Sequence, residues 1–300
     1  MTPLYRLAAT RYVTPLREGG SLPAILDTAP QPGTDDAAGG LFVAKFRGAG
    51  QGARVLVAEL VVGQIAAHLG LPMPDLALID LDPAFGRSEP DQEIQDLLKK
   101  SRGLNVGLRY LDGAFGYDPV AMASLVDPDL AASVVWLDAL CLNVDRTPRN
   151  PNLLIHGRKL WLIDHGAALY LHHDWASATP ERARAQFPMI EQHVLLPAAS
   201  SIVDADRRLA PTLTRDALAP MLEAVPEALL LDAPPGHPQA FAFASADAAR
   251  DAYLRLFAAR LGWDDAGRPG PDDARPFVST AEAARLTLPD ADDRPLAYRR

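Results

Sequence analysis

The stretch NVDRTPRNPNLLIHGRKLWLIDHG, residues 143 to 166, constrains this chain more than any other, because two apolar runs flank one turn and three oxygen-bearing side chains stand at their outer ends. Residues 152–155 (NLLI) lead into His156, Gly157 and Arg158, and residues 159–163 (KLWLI) resume the apolar run, which is the pattern of a short β-hairpin. With the turn centred near Gly157, antiparallel pairing sets Asn150 opposite Asp164, their side chains about 5 Å apart where they share a face. Asp145 lies five residues before Asn150, in a run (DRTPR) too rich in charge and proline to belong to either strand. Taken singly, each of the three is explained by turn capping or by the end of a strand. Jointly, the spacing and the hairpin favour a metal and phosphate site, because Mg²⁺ takes one or two carboxylates and completes its shell with water and phosphate oxygens.

The order of an Asp, an Asn five residues on, a hairpin and a terminal Asp resembles the catalytic loop of kinases. It resembles more closely that of the HipA-like kinases and their relatives, the phosphatidylinositol 3- and 4-kinases. In that group the loop begins with an Asp-Arg pair, here Asp145 and Arg146, and the metal Asp is followed by a small polar or variable residue and often Gly, here His165 and Gly166. The resemblance implies an α+β, two-lobed protein-kinase-like fold, with ATP and Mg²⁺ as cofactors. It further implies that Asp145 orients or deprotonates the acceptor and that Asn150 and Asp164 are metal ligands. Thr147 departs from the pattern, standing where many HipA-like and lipid kinases have His, so the acceptor is less tightly implied than the nucleotide. The resemblance covers about residues 10–170. Larger HipA proteins carry an additional N-terminal segment, whereas this chain is expected to begin directly with the nucleotide-loop strand; toxin activity, an antitoxin partner and DNA association are not carried over.

A kinase also needs a Lys for the nucleotide phosphates on an upstream strand and a Glu to hold it on the following helix. Residues 41–46 (LFVAKF) form a β-rich run containing Lys45, and ARVLVAELVVGQIAAHLG reads as a helix ended by Gly70 and Pro72. Val55, Glu59 and Val62 fall at i, i+4 and i+7, so Glu59 lies on an apolar face and needs a partner, for which Lys45 is the candidate. Without the downstream stretch, an exposed Lys and a solvated Glu would explain both. The glycines of residues 48–52 (GAGQG) lack the GxGxxG spacing of a dinucleotide fold, and Asp75 is poorly placed to bind ribose, so they read as a mobile turn. Gly19, Gly20 and Ser21, in REGGSLP between two strand-like runs, form the better phosphate loop, although a plain hairpin turn explains that segment equally well by itself.

Strand signals concentrate in residues 1–82, the expected N-lobe with one key helix, and the run LALIDLD is expected to lead into the hinge. The polar segment DPAFGRSEPDQE marks the boundary to a mainly helical C-lobe, residues 83–300, in which PDLAASVVWLDALCLN is a strong helix capped by Asp127 or Asp129. TRDALAPMLEAV and SADAARDAYLRLFAARLGW are further helices, the latter opened by Ser245 with Tyr253, Leu254, Phe257 and Leu261 on one face. Residues 28–40 read as a long connection between two strands, and the segment DDAGRPGPDDARP and the last dozen residues as flexible surface.

With 29 basic and 38 acidic residues the formal charge is −9, which argues against a nucleic-acid-coating protein; the cluster Lys99, Lys100 and Arg102 reads as a solvated helix end. The lone Cys141 cannot form an internal disulfide and reads as a small core residue. There is no signal-peptide pattern, and no apolar run approaches the ~18 residues that span a bilayer, so a cytoplasmic protein is expected. His172 and His173 are adjacent and cannot form the i, i+4 pair of common zinc sites, His193 shows no partner, and no GxSxG elbow occurs. The expected function is ATP- and Mg²⁺-dependent phosphoryl transfer to a hydroxyl, with a protein Ser/Thr as acceptor. A lipid or small-molecule acceptor is the alternative within the enzyme class, and a nucleotide-binding pseudokinase acting as an interaction module the alternative outside it.

Overall fold

The computed structural model describes residues 4–16, 22–31, 39–50, 52–87, 89–232, 243–271 and 274–288. Strand content is concentrated toward the N-terminus, and the remainder is mainly helical. Five strands close a small barrel in the order β1 (Tyr5–Pro15), β2 (Ala24–Pro30), β3 (Gly40–Lys45), β5 (Gly103–Arg109), β4 (Leu76–Leu81), with β1 and β4 pairing in parallel. Alternation along β2 and β3 turns Leu26, Phe42 and Ala44 inward, where they meet Leu7, Ala77 and Ile79. The barrel therefore has a filled apolar core.

One boundary differs from the sequence expectation. The run LALIDLD is β4, but it does not lead out of the barrel. Helix α2 (Gln92–Lys100), capped by Asp91, follows it and lays Ile94 and Leu98 on the barrel core, and β5 then returns between β3 and β4. The strand-rich part thus extends to Arg109 rather than to residue 82, because β5 supplies the ladder that closes the barrel. Lys99 and Lys100 lie in the last turn of α2, where cations suit the helix dipole, and Lys99 pairs with Asp96.

Between β3 and β4 runs α1 (Ala53–His68). Its C-terminus closes with Gly70 at φ 71° and Leu71 N–H donating back to Ala66 O at 2.9 Å, a Schellman-type end just before Pro72. Beyond the barrel, α3 (Pro128–Leu140) is opened by Asp127, whose Oδ1 accepts from Asp129 and Leu130 N–H, and is buried from Ala131 onward. It is followed by α4 (Pro180–Arg184), α5 (Ile202–Leu209), α6 (Arg215–Glu223), α7 (Glu227–Leu230), α8 (Ala246–Leu261) and α9 (Pro276–Leu286), of which α5 and α9 pack on α3, α6 and α7 on α1 and α8, and α4 on α8. Ser245 caps α8, whose Tyr253, Phe257 and Leu261 are buried and Leu254 partly so. Among the described residues no helix is long and apolar enough to cross a membrane.

The hairpin comprises β7 (Leu153–His156) and β8 (Lys159–Leu162), with β6 (Phe115–Gly116) beside β7. Gly157 and Arg158 both have positive φ, 57° and 61°, the two-residue geometry that matches strand twist. A two-residue turn centres the register between 157 and 158, so His156 pairs Lys159 and Leu153 pairs Leu162. Extending that register sets Asp164 across from Pro151, so the ladder does not place Asn150 opposite it; a turn centred on one residue would have done so.

Candidate active site

The barrel, α1 and the hairpin deliver three charges to one point. Lys45, the last residue of β3, is 7% exposed, and its ammonium donates to Glu59 Oε2 of α1 at 2.8 Å and to Asp164 Oδ1 just beyond β8. Burial alone would lower the Lys45 pKa, but Glu59 and then Asp164 override it and hold the ammonium above its usual range. Burial pushes the Glu59 carboxyl up, with Lys45 pulling the other way. Asp164 would also be raised by burial, yet Lys45 holds it below the ordinary carboxylate range. The outcome is a cation held between two acids, one sealed in the core and the other, Asp164, with 40% of its side chain exposed. A Cβ at Gly166 would sit 3.5 Å from both Lys45 Nζ and Asp164 Oδ1 and 2.5 Å from Val55 Cγ1. Only glycine leaves that approach open.

The loop between α3 and the hairpin places the second group. Asn150 Nδ2 donates to Asp145 Oδ2 at 2.8 Å, and Asn152 Nδ2 reaches the same oxygen at 3.4 Å. Asn150 is exposed, and with its amide nitrogen committed to Asp145 its carbonyl oxygen is left to accept or to ligate. Four residues around this region, Leu142, Asn152, Asp164 and Leu169, have φ between 50° and 56°, a left-handed conformation uncommon for side-chain-bearing residues and often found at functional sites.

What holds the loop is a buried network that the sequence reading did not find. Asp138, near the end of α3 and fully buried, accepts from Arg146 Nε at 2.5 Å, His193 Nε2 at 2.8 Å and Asn143 Nδ2 at 2.9 Å. Burial would raise its pKa, but Arg146 and His193 hold it well below the ordinary range. Arg146, 1% exposed, also donates to the carbonyls of Asn152 and of Ile163 (3.2 Å), which flank the hairpin, and lies 3.3 Å from His165 Nδ1. His165 is pushed down to about 3, first by burial and then by Arg146, so it is neutral. His193 is likewise lowered by burial, its Nδ1 accepting Leu195 N–H at 3.1 Å. One guanidinium thus rivets the Asp145 loop to the hairpin that carries Asp164. A signal existed: an Asp inside the apolar run VVWLDALCLN must be partnered to be tolerated.

Other sequence candidates fall elsewhere. Gly19, Gly20 and Ser21 lie outside the described residues. Gly48 N–H bonds Ser101 Oγ at 3.1 Å, and a Cβ there would sit 2.8 Å from the Lys100 backbone, so this glycine is required by packing against the α2–β5 turn. His172 is buried, with Nδ1 3.0 Å from the Tyr253 hydroxyl and its ring against His173. Among the described residues no group of three or more His, Cys, Asp or Glu could hold a metal ion. Cys141 is buried in the core, its thiol pKa pushed up by burial.

A Lys and Glu pair is thus joined across β3 and α1 and faces an Asp just beyond a hairpin. The family model described as HipA-like kinase matches residues 34–204, more than half of the chain, and the chain belongs to that family. It is therefore a kinase-type phosphotransferase. No curated protein matches. Among solved structures, a proinflammatory kinase of Helicobacter pylori, CtkA, aligns with a TM-score of 0.48 at 11% identity, over 96% of this chain and 100% of that one.

Proposed function

We propose that this chain is an ATP- and Mg²⁺-dependent kinase of two lobes that transfers the γ-phosphoryl group to a hydroxyl, with a protein Ser/Thr side chain as acceptor, in the cytoplasm. The observation that carries the reading is the Lys45 ammonium held jointly by Glu59 and Asp164. Such a group is positioned to meet phosphate oxygens with its charge intact. The lobes divide after β5, near Tyr110, where the chain leaves the barrel for β6.

The residues present fit a magnesium nucleotide. Asp164 offers a half-exposed carboxylate and Asn150 an amide oxygen, hard donors suited to a cation that keeps water and phosphate in its shell. Gly166 lets the backbone after Asp164 pass close to Val55 and Lys45. Asp164 and Asn150 would hold the metal, which when bound supplies neutralisation of the phosphate charge. Lys45 orients phosphates, and Glu59 fixes Lys45 without competing for solvent. Asp145, half-buried and tied to Asn150 and Asn152, accepts the proton of the acceptor hydroxyl. Gly19, Gly20 and Ser21, outside the described residues, are the proposed phosphate-binding residues of the loop.

The test is MgATP binding by thermal shift together with a γ-phosphate transfer screen over protein, lipid and metabolite acceptors. Wild type binds and transfers to protein; Asp164→Ala abolishes Mg²⁺-dependent binding, and Asp145→Asn binds nearly as wild type but does not transfer. No MgATP-dependent shift in wild type overturns the kinase reading. Label on lipid or metabolite alone replaces the acceptor class, and binding with no label on any of the three makes the chain a pseudokinase interaction module.

A further inference from the structure

Helix α1 carries Glu59, and a barrel can cover only one side of a helix. Yet twelve of its sixteen residues are buried, among them the whole run from Leu56 to Ala66. Its other side is covered by the C-terminal helices: Leu56, Leu60 and Val61 belong to one apolar core with Leu218, Met221, Leu222 and Leu229, whereas the barrel interior forms a separate core. Polar ties follow the apolar ones along the length of α1. Gln64, 8% exposed, donates Nε2 to Met221 O of α6 at 3.0 Å as well as to Leu60 O, and His68 Nε2 lies 3.1 Å from Thr212 O. Arg54 donates to His173 O at 2.8 Å, and Arg47, in the turn before α1, pairs with Asp232 at 2.9 Å just after α7. At 100° per residue, Gln64 lies about 140° around the helix from Glu59, so α1 is gripped from the side away from Lys45.

We propose that α6, α7 and the chain to Asp232 are a built-in clamp that sets α1, and through it Glu59 against Lys45, making Gln64, Arg47 and Asp232 positioning residues for phosphotransfer. The clamp lies beyond residue 204, where the family match ends. The inference rests on the reading of Lys45 and Glu59 as the phosphate-orienting pair. A helix free on its outer side could swing and part the pair. Here that movement requires unpacking a shared core.

The experiment compares full-length wild type, Gln64→Leu, Asp232→Arg and the exchange Arg47→Asp with Asp232→Arg, reading hydrogen exchange in residues 53–68, MgATP affinity, turnover and urea stability. The loss of one tie is expected to speed α1 exchange and weaken MgATP about three- to tenfold, the equivalent of a net hydrogen bond, with the charge exchange restoring both. Unchanged α1 exchange in Gln64→Leu and Asp232→Arg overturns the clamp. So does a loss of urea stability with MgATP affinity and turnover intact, which marks a merely structural contact. Lys45→Ala separates the two readings. If it binds MgATP as wild type does, the phosphate-orienting pair is wrong; if it loses MgATP while the clamp variants keep it, the pair stands and the clamp falls.

Discussion

Replacing Arg146 with Met tests the buried network most directly. Asp138 and Arg146 are both fully buried, and removing the guanidinium leaves a carboxylate in the core with His193 and Asn143 as its remaining partners. Breaking a buried pair from one side costs about 3–5 kcal/mol. That is a large share of the roughly 5–15 kcal/mol that holds a domain folded. The cost depends on pH with a definite sign. In wild type His193 is neutral, its folded pKa held below 6.5, so stability through this group is lost as pH falls below 6.5. Arg146 is one of the charges that lowers it, and Asp138 pulls the other way. Without Arg146 only burial still opposes that pull, and as pH falls a protonated His193 can take over as partner. The penalty of Arg146→Met is therefore expected to be full at pH 8 and smaller at pH 5.5. Urea unfolding followed by tryptophan fluorescence measures it, and Asp138→Asn combined with Arg146→Met should cost less than the sum of the two single changes. A penalty under about 1 kcal/mol, or one equal at both pH values, would refute the reasoning.

Three further outcomes follow from single contacts. Gly166→Ala drives a methyl to 2.5 Å from Val55 Cγ1 and is expected to cost about 1–3 kcal/mol and weaken MgATP, both partly restored by adding Val55→Ala, as calorimetry and binding would show. Tyr253→Phe strips the hydroxyl from His172 Nδ1 (3.0 Å), leaving a buried imidazole whose Nε2 has no partner among the described residues, and should cost about 1–3 kcal/mol in chemical denaturation. Asp206→Ala removes the acceptor of Trp136 Nε1 (2.7 Å) and of Arg275 Nε (2.8 Å), at about 3–5 kcal/mol, with hydrogen exchange rising first in α9.

Local order carried some of this structure into plain view. The 3.6-residue period of residues 53–68, the cap at Asp127, the Ser245 cap and the apolar runs around Gly157 are short-range features, and each describes an element before any tertiary contact exists. The spacing of Asp145, Asn150 and Asp164 placed the chain with the HipA-like kinases, because a catalytic loop is itself a local object. Register was less legible: a one-residue change in where the turn centres alters every cross-strand neighbour, and the Gly157–Arg158 turn sets Asp164 across from Pro151 rather than Asn150, whose amide bonds Asp145. The end of the barrel was hidden because β5 lies beyond a helix and a polar segment, and only sheet closure assigns it.

Long-range pairing belongs to the tertiary structure alone. Lys45 and Glu59 were legible as candidates, but that the same ammonium also meets Asp164, 119 residues on, is a fact of packing. In the sequence Arg146 stood only as half of an Asp-Arg pair, His193 showed no partner and Asp138 drew no reading; burial brings the three together. The sequence by itself determined the family and several local elements, since these depend on neighbours within a turn or a hairpin. Tertiary structure decided which charges are buried together and which helices grip α1. The reason is physical: desolvation is set by everything that surrounds a group, and most of what surrounds these groups is distant in the chain.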